Sequence, residues 1–176
     1  MNNENLTSNT KMLAIVVPFY RIDFFDETIK SLVNQTNQNF NLYIGDDCSD
    51  NNISDYIDLN SLPFEVNYTR FIENMGLKNL GGHFSRCVDL SREEEWVMIL
   101  GDDDFLEESC VQDFYSHLIE IENLDINVFQ YATVKINNDG NAVSEIVTHD
   151  KLLSASNDFI EKLKGKRGSL SEIIFK

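Results

Sequence analysis

Three consecutive carboxylates, Asp102, Asp103 and Asp104, closely follow the short apolar run at 96–100. Like charges on adjacent residues repel one another and cost free energy unless a cation or hydrogen-bond donors compensate them. Carboxylate oxygens are hard ligands of the kind that Mg²⁺ and Mn²⁺ prefer. The triplet therefore predicts a Mn or Mg site, and the alternative is a solvated acidic turn that caps the following helix.

Two other apolar runs, at 13–17 and 40–45, also end in groups that could bind a ligand. Those groups are Pro18, Tyr20 and Arg21 after the first run, and Asp46 and Asp47 after the second. If the three runs are parallel strands, their carboxyl ends meet at one edge of the sheet and could line one crevice. An aromatic face, carboxylate acceptors and a metal can bind a base, a ribose and a diphosphate. The combination therefore indicates a nucleotide site.

The elements that must position these residues alternate between strands and helices. Short runs rich in β-branched residues predict strands, and apolar residues at helical spacing predict amphipathic helices. The predicted strands lie at 13–17, 40–45, 64–71 and 96–100. The predicted helices lie at 24–33, 53–59, 80–90 and 109–121.

The C-terminal part departs from this alternation. Strands at 127–136 and 142–147 flank a strong turn signal at 137–140, which predicts an antiparallel hairpin. Two short helices are predicted after it, at 158–164 and 169–175. The complete order predicts an α/β fold with three α/β/α layers around a mixed, mainly parallel sheet.

Composition limits the classes of protein that fit. The 176 residues include 14 Lys and Arg against 30 Asp and Glu, for a net charge of −16, whereas nucleic-acid binding needs clustered cations. No apolar run approaches the roughly 20 residues that cross a bilayer, so no transmembrane segment is predicted. The polar segment 1–11 has no signal-peptide core and predicts a disordered leader. These features predict a protein of the cytoplasm, either free or at the inner face of the membrane.

Five motifs give the sequence a resemblance to a known family. They are AIVVPFY at 14–20, SLVNQT at 31–36, NLYIGDDCSD at 41–50, NMG at 74–76 and ILGDDD at 99–104. In this order and spacing, the sequence resembles the inverting, family 2 glycosyltransferases. Their nucleotide-binding half has the Rossmann-like GT-A fold of nucleotide-diphospho-sugar transferases. The resemblance covers nearly the whole chain after Lys11 and implies a GT-A domain over 12–176.

The resemblance implies a nucleotide-binding role for several of these residues. Pro18 would shape the turn, and Tyr20 would stack near the nucleobase. Asp47 would accept a hydrogen bond from the base, with Asp46 supporting it. Asp102 would face the ribose.

The resemblance also implies a metal site within the triplet. Asp103 is the first expected ligand, and Asp102 and Asp104 are included because the usual family pattern is Asp-x-Asp. Arg21 stands where the family usually has Asn, and it could either reach a phosphate or pair with carboxylates. Lys78, which we include among the nucleotide-binding residues, and Arg86 lie where the family often carries groups near the diphosphate. Solvated charges on a helix face are the alternative for both.

The implied activity is metal-dependent transfer of a sugar, with inversion, from a nucleotide-diphosphate donor. A UDP-sugar is favoured, and the acceptor would be a hydroxyl of a glycan or a lipid-linked molecule in polysaccharide or glycan synthesis. Inversion needs a general base within about 3 Å of that hydroxyl. The downstream acids Glu145, Asp150, Glu161 and Glu172 lie in no recognisable base motif. We therefore expect a donor-binding domain truncated at its acceptor-binding part, with the base outside this chain.

Other classes fit the residues less well. A phosphoacceptor receiver domain also holds Mg²⁺ at strand ends, but its paired acids follow the first strand, where this chain has Pro18 and Phe19. A dinucleotide-dependent oxidoreductase needs a G-x-G-x-x-G after that strand, which is absent. A haloacid-dehalogenase-like phosphatase needs Thr or Val where Leu106 stands. A non-catalytic nucleotide-sugar-binding module is the main alternative that stays open.

Overall fold

A computed structural model describes residues 12–149 and 169–176 of the chain. Its strands are β1 (Leu13–Phe19), β2 (Phe40–Asp46), β3 (Val66–Arg70), β4 (Trp96–Ile99), β5 (Val128–Gln130) and β6 (Ile173–Phe175). Its helices are α1 (Phe25–Val33), α2 (Leu80–Val88) and α3 (Cys110–Asn123). Short 3-10 turns lie at Ile53–Asp55, Leu59–Ser61 and Leu170–Glu172. Among the described residues, none of the helices is both long enough and apolar enough to span a bilayer.

The strands form one sheet in the order β3-β2-β1-β4-β6-β5. Strands β1 to β4 run parallel, and β6 runs antiparallel between β4 and β5. The predicted mixed, mainly parallel sheet is therefore confirmed. The chain builds β2 and β3 on one side of β1 and then places β4 on the other side. Ligands of open α/β sheets bind in the crevice that forms at such a reversal of strand order.

Strand β1 lies at the centre of the sheet and is buried on both faces. All seven of its residues are buried, which explains why this segment is a continuous apolar run rather than an alternating one. Leu13, Ile15 and Val17 belong to the core on the side of α1 and α3. Ala14 and Val16 belong to the smaller core on the side of α2. This division confirms the three-layer arrangement.

The sequence predicts that the first strand ends before Pro18, but the proline does not end it. The strand continues through Pro18 to Phe19, because β4 has already ended on that side. The last bond from β4 is donated by the Leu100 amide to the Val16 carbonyl, at 2.9 Å. Two residues later, the Pro18 nitrogen faces the same side of β1. No β4 residue pairs there, so the missing amide proton costs no sheet hydrogen bond. Pro18 therefore stands at the open end of the sheet, beside the site described below.

Helix α2 begins at Leu80 although Gly81 and Gly82 weaken its first turn. The side chain of Asn79 provides the compensation, since its Oδ1 accepts a hydrogen bond of 2.9 Å from the Gly82 amide. An asparagine N-cap of this kind typically stabilises a helix by about 1 kcal/mol. The predicted helix at 80–90 is thus confirmed, with a slightly earlier end.

Several predicted elements between β2 and the C-terminus are shorter than expected. The predicted helix at 53–59 is replaced by two 3-10 turns, and the strand at 127–136 shrinks to β5. The hairpin survives as two isolated antiparallel bridges, Thr133 with Val147 and Ile136 with Ala142. The predicted helix at 158–164 and the predicted leader at 1–11 lie outside the described residues.

The predicted helix at 169–175 is wrong. This segment forms the 3-10 turn Leu170–Glu172 and then strand β6, which hydrogen-bonds to both β4 and β5. Within β6 only Ile174 is fully buried, as expected for the period of two residues in a strand. Apolar residues at helical spacing were misleading here because a short apolar run fits either period.

Candidate functional site

A cleft of about 390 Å³ lies at the carboxyl ends of β1, β2 and β4. Seven of the predicted site residues line it: Pro18, Tyr20, Arg21, Asp47, Asp102, Asp103 and Asp104. Pro18 comes from the end of β1, and the segments after β1 and β4 supply five more, so the cleft coincides with the reversal of strand order in the sheet. Two predicted residues, Asp46 and Lys78, do not line it.

Asp102 ties the turn after β1 to the end of β4. Its Oδ2 accepts hydrogen bonds of 2.8 Å from the backbone amides of both Tyr20 and Arg21. Burial raises the pKa of this carboxyl, and the two amide bonds oppose that effect because they favour the charged form. Asp102 therefore holds the aromatic and cationic residues of the first loop at the edge of the cleft. Its role toward a ribose remains a prediction.

Asp103 is the most open carboxylate of the triplet, with 50% of its side chain exposed. Its Oδ2 lies 3.1 Å from Nη2 of Arg21, whose side chain is 63% exposed. Solvent screens an ion pair this exposed, so it is weak. Asp103 is thus available to another cation.

Asp104 is held by serine hydroxyls from the far end of the chain. Its Oδ2 accepts hydrogen bonds from Oγ of Ser171, at 2.5 Å, and from Oγ of Ser169, at 3.3 Å. Ser171 Oγ in turn accepts from the Gly101 amide at 3.0 Å. Sequence reasoning missed both serines, because 65 and 67 residues separate them from Asp104 and no local pattern marks the contact.

The acidic triplet fits a cation that phosphate oxygens help to bind. A Cβ atom on Gly101 would lie 3.2 Å from Oδ1 of Asp103 and 2.9 Å from Oδ2 of Asp104, so one oxygen of each carboxylate lies beside Gly101. Within the described ranges, no group of three or more His, Cys, Asp or Glu side chains is arranged to hold a metal by itself. Mg²⁺ commonly uses one or two carboxylates together with substrate phosphates. Asp103 and Asp104 fit that pattern.

Asp47 is buried at the side of the cleft and is fixed by the Asn-x-Gly loop. Its Oδ1 accepts from the Met75 amide at 2.8 Å, and its Oδ2 accepts from the Gly76 amide at 2.7 Å. Asn74 Nδ2 donates to the Asp47 carbonyl at 3.1 Å. Since an ionised carboxylate oxygen can accept two hydrogen bonds, Oδ2 keeps capacity for a ligand donor. That capacity is compatible with the role toward a base, which stays a prediction.

Arg86 is mostly buried, with 18% of its side chain exposed, and is paired with Asp47 rather than solvated. Its Nη2 donates to Oδ1 of Asp47, and its guanidinium lies 3.8 Å from the ring centre of Phe71. The same nitrogen donates to the Glu73 carbonyl at 3.0 Å. The stacked ring and the ion pair fix the position of Arg86, which in turn fixes Asp47. The sequence shows the cationic side chain of Arg86 but does not indicate that Asp47 is its partner.

His83 is a buried neighbour of Asp47 in the floor of the cleft. Burial lowers its pKa, so the ring is neutral at pH 7. Arg86 Nε donates to His83 Nδ1 at 3.2 Å, which places the ring proton on Nε2. The Sγ atom of Cys87 lies 3.6 Å from His83 Nδ1, and burial raises the pKa of that thiol to about 12. His83 and Cys87 are therefore uncharged side chains that pack against the Asp47–Arg86 pair.

Asp46 supports the loop after β2 and is completely buried. Its Oδ1 accepts from the Ser49 amide at 2.8 Å, and its Oδ2 accepts from the Tyr68 hydroxyl at 2.6 Å. Arg70 Nη1 also reaches Oδ2, at 3.3 Å. Burial and the bond to Asp46 raise the pKa of Tyr68 to about 12. Asp46 thus stabilises the loop that presents Asp47, whereas Lys78 is an exposed side chain beside the cleft.

The downstream acids considered as a general base do not reach the cleft. Glu172 is buried and accepts hydrogen bonds from Thr133 Oγ1 at 3.0 Å and from the Ser169 amide at 3.1 Å. Glu145 is exposed and does not line the cleft. The other two candidates, at 150 and 161, lie outside the described residues. In the part of the chain that the structure covers, the carboxylates lining the cleft are therefore Asp47 and the triplet.

Comparison with known proteins identifies a matching family model and similar folds. The model described as Glycosyl transferase family 2 matches residues 14–171. The crystal structure of S. aureus TarS 1-349 has a TM-score of 0.66 at 16% identity, covering 93% of this chain and 46% of that one. The complex of TarS 1-349 with UDP-GlcNAc has a TM-score of 0.66 at 18% identity, covering 92% and 44%. The complex with UDP has a TM-score of 0.58 at 18% identity, covering 72% and 36%.

These structural matches bear on the fold, which is that of the GT-A domain of TarS. The chain spans less than half the length of the TarS 1-349 structures. No curated protein sequence matches it.

Proposed function

This chain belongs to glycosyl transferase family 2, and on that premise we propose that it binds a nucleotide-diphosphate sugar whose sugar is transferred, with inversion, to an acceptor hydroxyl. One observation carries the proposal: a single cleft at the reversal of strand order gathers an aromatic ring, the buried Asp47 and three carboxylates. UDP-sugars are the favoured donors, in line with the UDP and UDP-GlcNAc complexes of TarS. The acceptor would be a glycan or a lipid-linked molecule of polysaccharide or glycan synthesis.

The donor's nucleoside would lie between the loops after β1 and β2. Tyr20 is partly exposed in the cleft and offers a ring face to the base. Asp47 Oδ2 can accept from a base N–H, because its carboxylate is already oriented by two backbone amides. Asp102 would face the ribose. This arrangement leaves the diphosphate beside Arg21 and the remaining carboxylates.

A divalent ion, Mn²⁺ or Mg²⁺, would be held by Asp103 and Asp104. When bound, it neutralises the charge that develops on the leaving diphosphate, an effect of several kcal/mol. Ser169 and Ser171 keep Asp104 in place by donating to its Oδ2. Asp102 keeps the loop after β1 at the same edge of the cleft.

Inversion requires that the acceptor oxygen bond to the anomeric carbon while the bond from that carbon to the diphosphate oxygen breaks on the opposite face. The acceptor proton must pass to a general base. No carboxylate of the described cleft is placed for this task, since Asp47 is bonded to the loop and the triplet serves the leaving group. We therefore propose that residues 12–176 form the donor-binding domain and that the base lies elsewhere.

Calorimetric titration of nucleoside diphosphates with and without Mn²⁺ tests the proposal. We expect UDP to bind with measurable heat in Mn²⁺ and at least tenfold more weakly in EDTA, because the diphosphate would otherwise meet an uncompensated acidic cleft. Uridine, which lacks phosphates, is the control and should show no metal dependence. The nucleotide-sugar proposal is rejected if neither UDP nor GDP produces a metal-dependent heat or melting shift.

A non-catalytic nucleotide-sugar-binding module is the second candidate. The observation that favours it is the absence of a free base among the described carboxylates of the cleft. Donor binding without any hydrolysis or transfer of the sugar, in the presence of Mn²⁺ and a range of acceptors, would support this candidate. Turnover of the donor by this chain would exclude it.

A further inference from the structure

Arg21 is the only lysine or arginine that lines the cleft in the described ranges. Its backbone amide is fixed by a 2.8 Å hydrogen bond to Oδ2 of Asp102. Its guanidinium, by contrast, has one side-chain partner, Asp103, at 3.1 Å. The residue is therefore anchored at its backbone, while its charged group is held by a single exposed ion pair.

That single partner is also the first expected metal ligand. A divalent ion bound to Asp103 carries more charge than a guanidinium and prefers carboxylate oxygens, so the two cations compete for the same carboxylate. Water and salt screen the Arg21–Asp103 pair, since both side chains are at least half exposed. The ion can therefore displace the guanidinium at little cost.

We propose that Arg21 exchanges partners during donor binding. In the metal-free cleft it neutralises Asp103, and when a divalent ion takes Asp103 the guanidinium moves to the diphosphate of the donor. The inference rests on the proposed function and adds a specific role for the residue that stands where the family usually has Asn.

The diphosphate is the partner that the released guanidinium would find. The planar fork of an arginine matches phosphate oxygens and can bind them through two parallel hydrogen bonds. The chain has a net charge of −16, and no second lysine or arginine lines the described cleft to compensate the phosphates. Because the bond to Asp102 keeps the backbone of Arg21 at the cleft edge, only its side chain needs to move.

The exchange couples the two ligands. Metal binding releases the cation that the diphosphate needs, and a bound diphosphate keeps that cation away from Asp103. Each ligand therefore raises the affinity for the other, and this coupling must be reciprocal. It would be lost if Arg21 were uncharged.

The test compares Arg21→Gln with the wild-type chain and with Arg92→Gln. Arg92 is exposed and precedes β4, so it lies at the opposite edge of the sheet from the triplet. The control removes the same charge without touching the cleft. Free Mn²⁺ is titrated by its paramagnetic resonance signal, first without nucleotide, and UDP and uridine are then titrated calorimetrically in saturating Mn²⁺.

For Arg21→Gln we expect Mn²⁺ alone to bind about two- to fivefold more tightly, the range expected from losing one exposed competing pair. UDP in Mn²⁺ should bind about tenfold more weakly, or worse, because a charged hydrogen bond to phosphate is lost. Uridine should bind equally to all three proteins, and Arg92→Gln should match the wild type.

Unchanged or weaker Mn²⁺ binding by Arg21→Gln would overturn the exchange. So would UDP affinity equal to that of wild type. If the wild-type chain binds UDP with Mn²⁺ but the variant behaves identically, the inference fails alone. If no Mn²⁺ binds with or without UDP, the metal part of the proposed function fails, and the inference fails with it.

Discussion

The three adjacent carboxylates at the end of β4 have three different environments. Backbone amides hold Asp102, serine hydroxyls hold Asp104, and only Asp103 is largely open, with an exposed arginine as its partner. Their different partners offset only part of the like-charge repulsion that the sequence presents, since the charge of Asp103 still acts to raise the pKa of Asp102. They also single out Asp103 as the carboxylate that a cation can take with the smallest structural consequence.

Replacing Asp103 by Asn should abolish most of the metal dependence of UDP binding while leaving the fold intact. The variant loses one exposed ion pair and relieves repulsion from Asp102 and Asp104, so the free energy of unfolding should change by no more than about 1 kcal/mol. Calorimetry in Mn²⁺ and in EDTA, with urea unfolding beside it, measures both quantities. Glu93→Gln, which removes an exposed carboxylate before β4, is the matched control.

Two results for this variant would contradict the assignment. A loss of several kcal/mol in unfolding free energy would mean that Asp103 is a structural cap of the turn. Metal dependence equal to that of Glu93→Gln would move the ligand role to Asp102 or Asp104.

At the scale of elements, the loop before α2 decides how Asp47 is presented. The loop approaches the carboxylate so closely that a Cβ on Gly76 would lie 2.7 Å from Oδ2 of Asp47. Glycine is thus needed at position 76 because the backbone lies so close to the Asp47 carboxylate, not because of its conformational freedom. The closeness lets two successive amides donate to the Asp47 carboxylate, one to each oxygen.

Gly76→Ala should therefore weaken UDP binding about tenfold and destabilise the fold by about 1–3 kcal/mol, because either the loop or Asp47 must shift. Gly81→Ala is the control within α2. A Cβ there meets nothing nearer than Asn79 Oδ1 at 4.0 Å, and replacing a helical glycine by alanine usually stabilises by about 0.5–1 kcal/mol. Calorimetry and urea unfolding of both variants measure the contrast. Equal UDP affinities would show that the loop does not orient the binding carboxylate.

At the scale of the whole molecule, the last described strand completes the sheet and the site together. Strand β6 lies between β4 and β5, and the turn before it supplies the serines that hold Asp104. The cleft is therefore built from both ends of the described chain. The stability of the C-terminal segment and the geometry of the proposed metal ligand Asp104 are therefore linked.

Ile174→Ala should test this linkage, because Ile174 is 1% exposed in the core at the centre of β6. Truncating a buried isoleucine typically costs about 2–5 kcal/mol, and the loosened strand should also weaken Mn²⁺ binding in the presence of UDP. Ile119→Ala on α3 is the control, since that side chain is 75% exposed and its loss should stay within about 0.5 kcal/mol. Equal urea midpoints for the two variants would contradict the placement of β6 in the core.

Sequence by itself determined the central strands and the chemistry at their ends. The runs that form β1 and β4 are continuous and apolar, and Asn41 alone interrupts the apolar part of β2, because these strands are buried on both faces; such a run is a local signal. Parallel strands align their carboxyl ends, so the prediction that Tyr20, Asp47 and the triplet share a crevice follows from the sequence alone. The motif order that carries the family resemblance lies within these same segments.

Only the tertiary structure decided which partner each charged group has. Arg86 reaches Asp47, Ser171 reaches Asp104, and Arg21 reaches Asp103 across 39, 67 and 82 residues of chain. Contacts of this length depend on how strands are ordered in the sheet, which propensity and periodicity do not encode. The same reason explains β6. Its three residues fit either a helix or a strand by their pattern. Hydrogen bonds to β4 on one side and β5 on the other favour the strand.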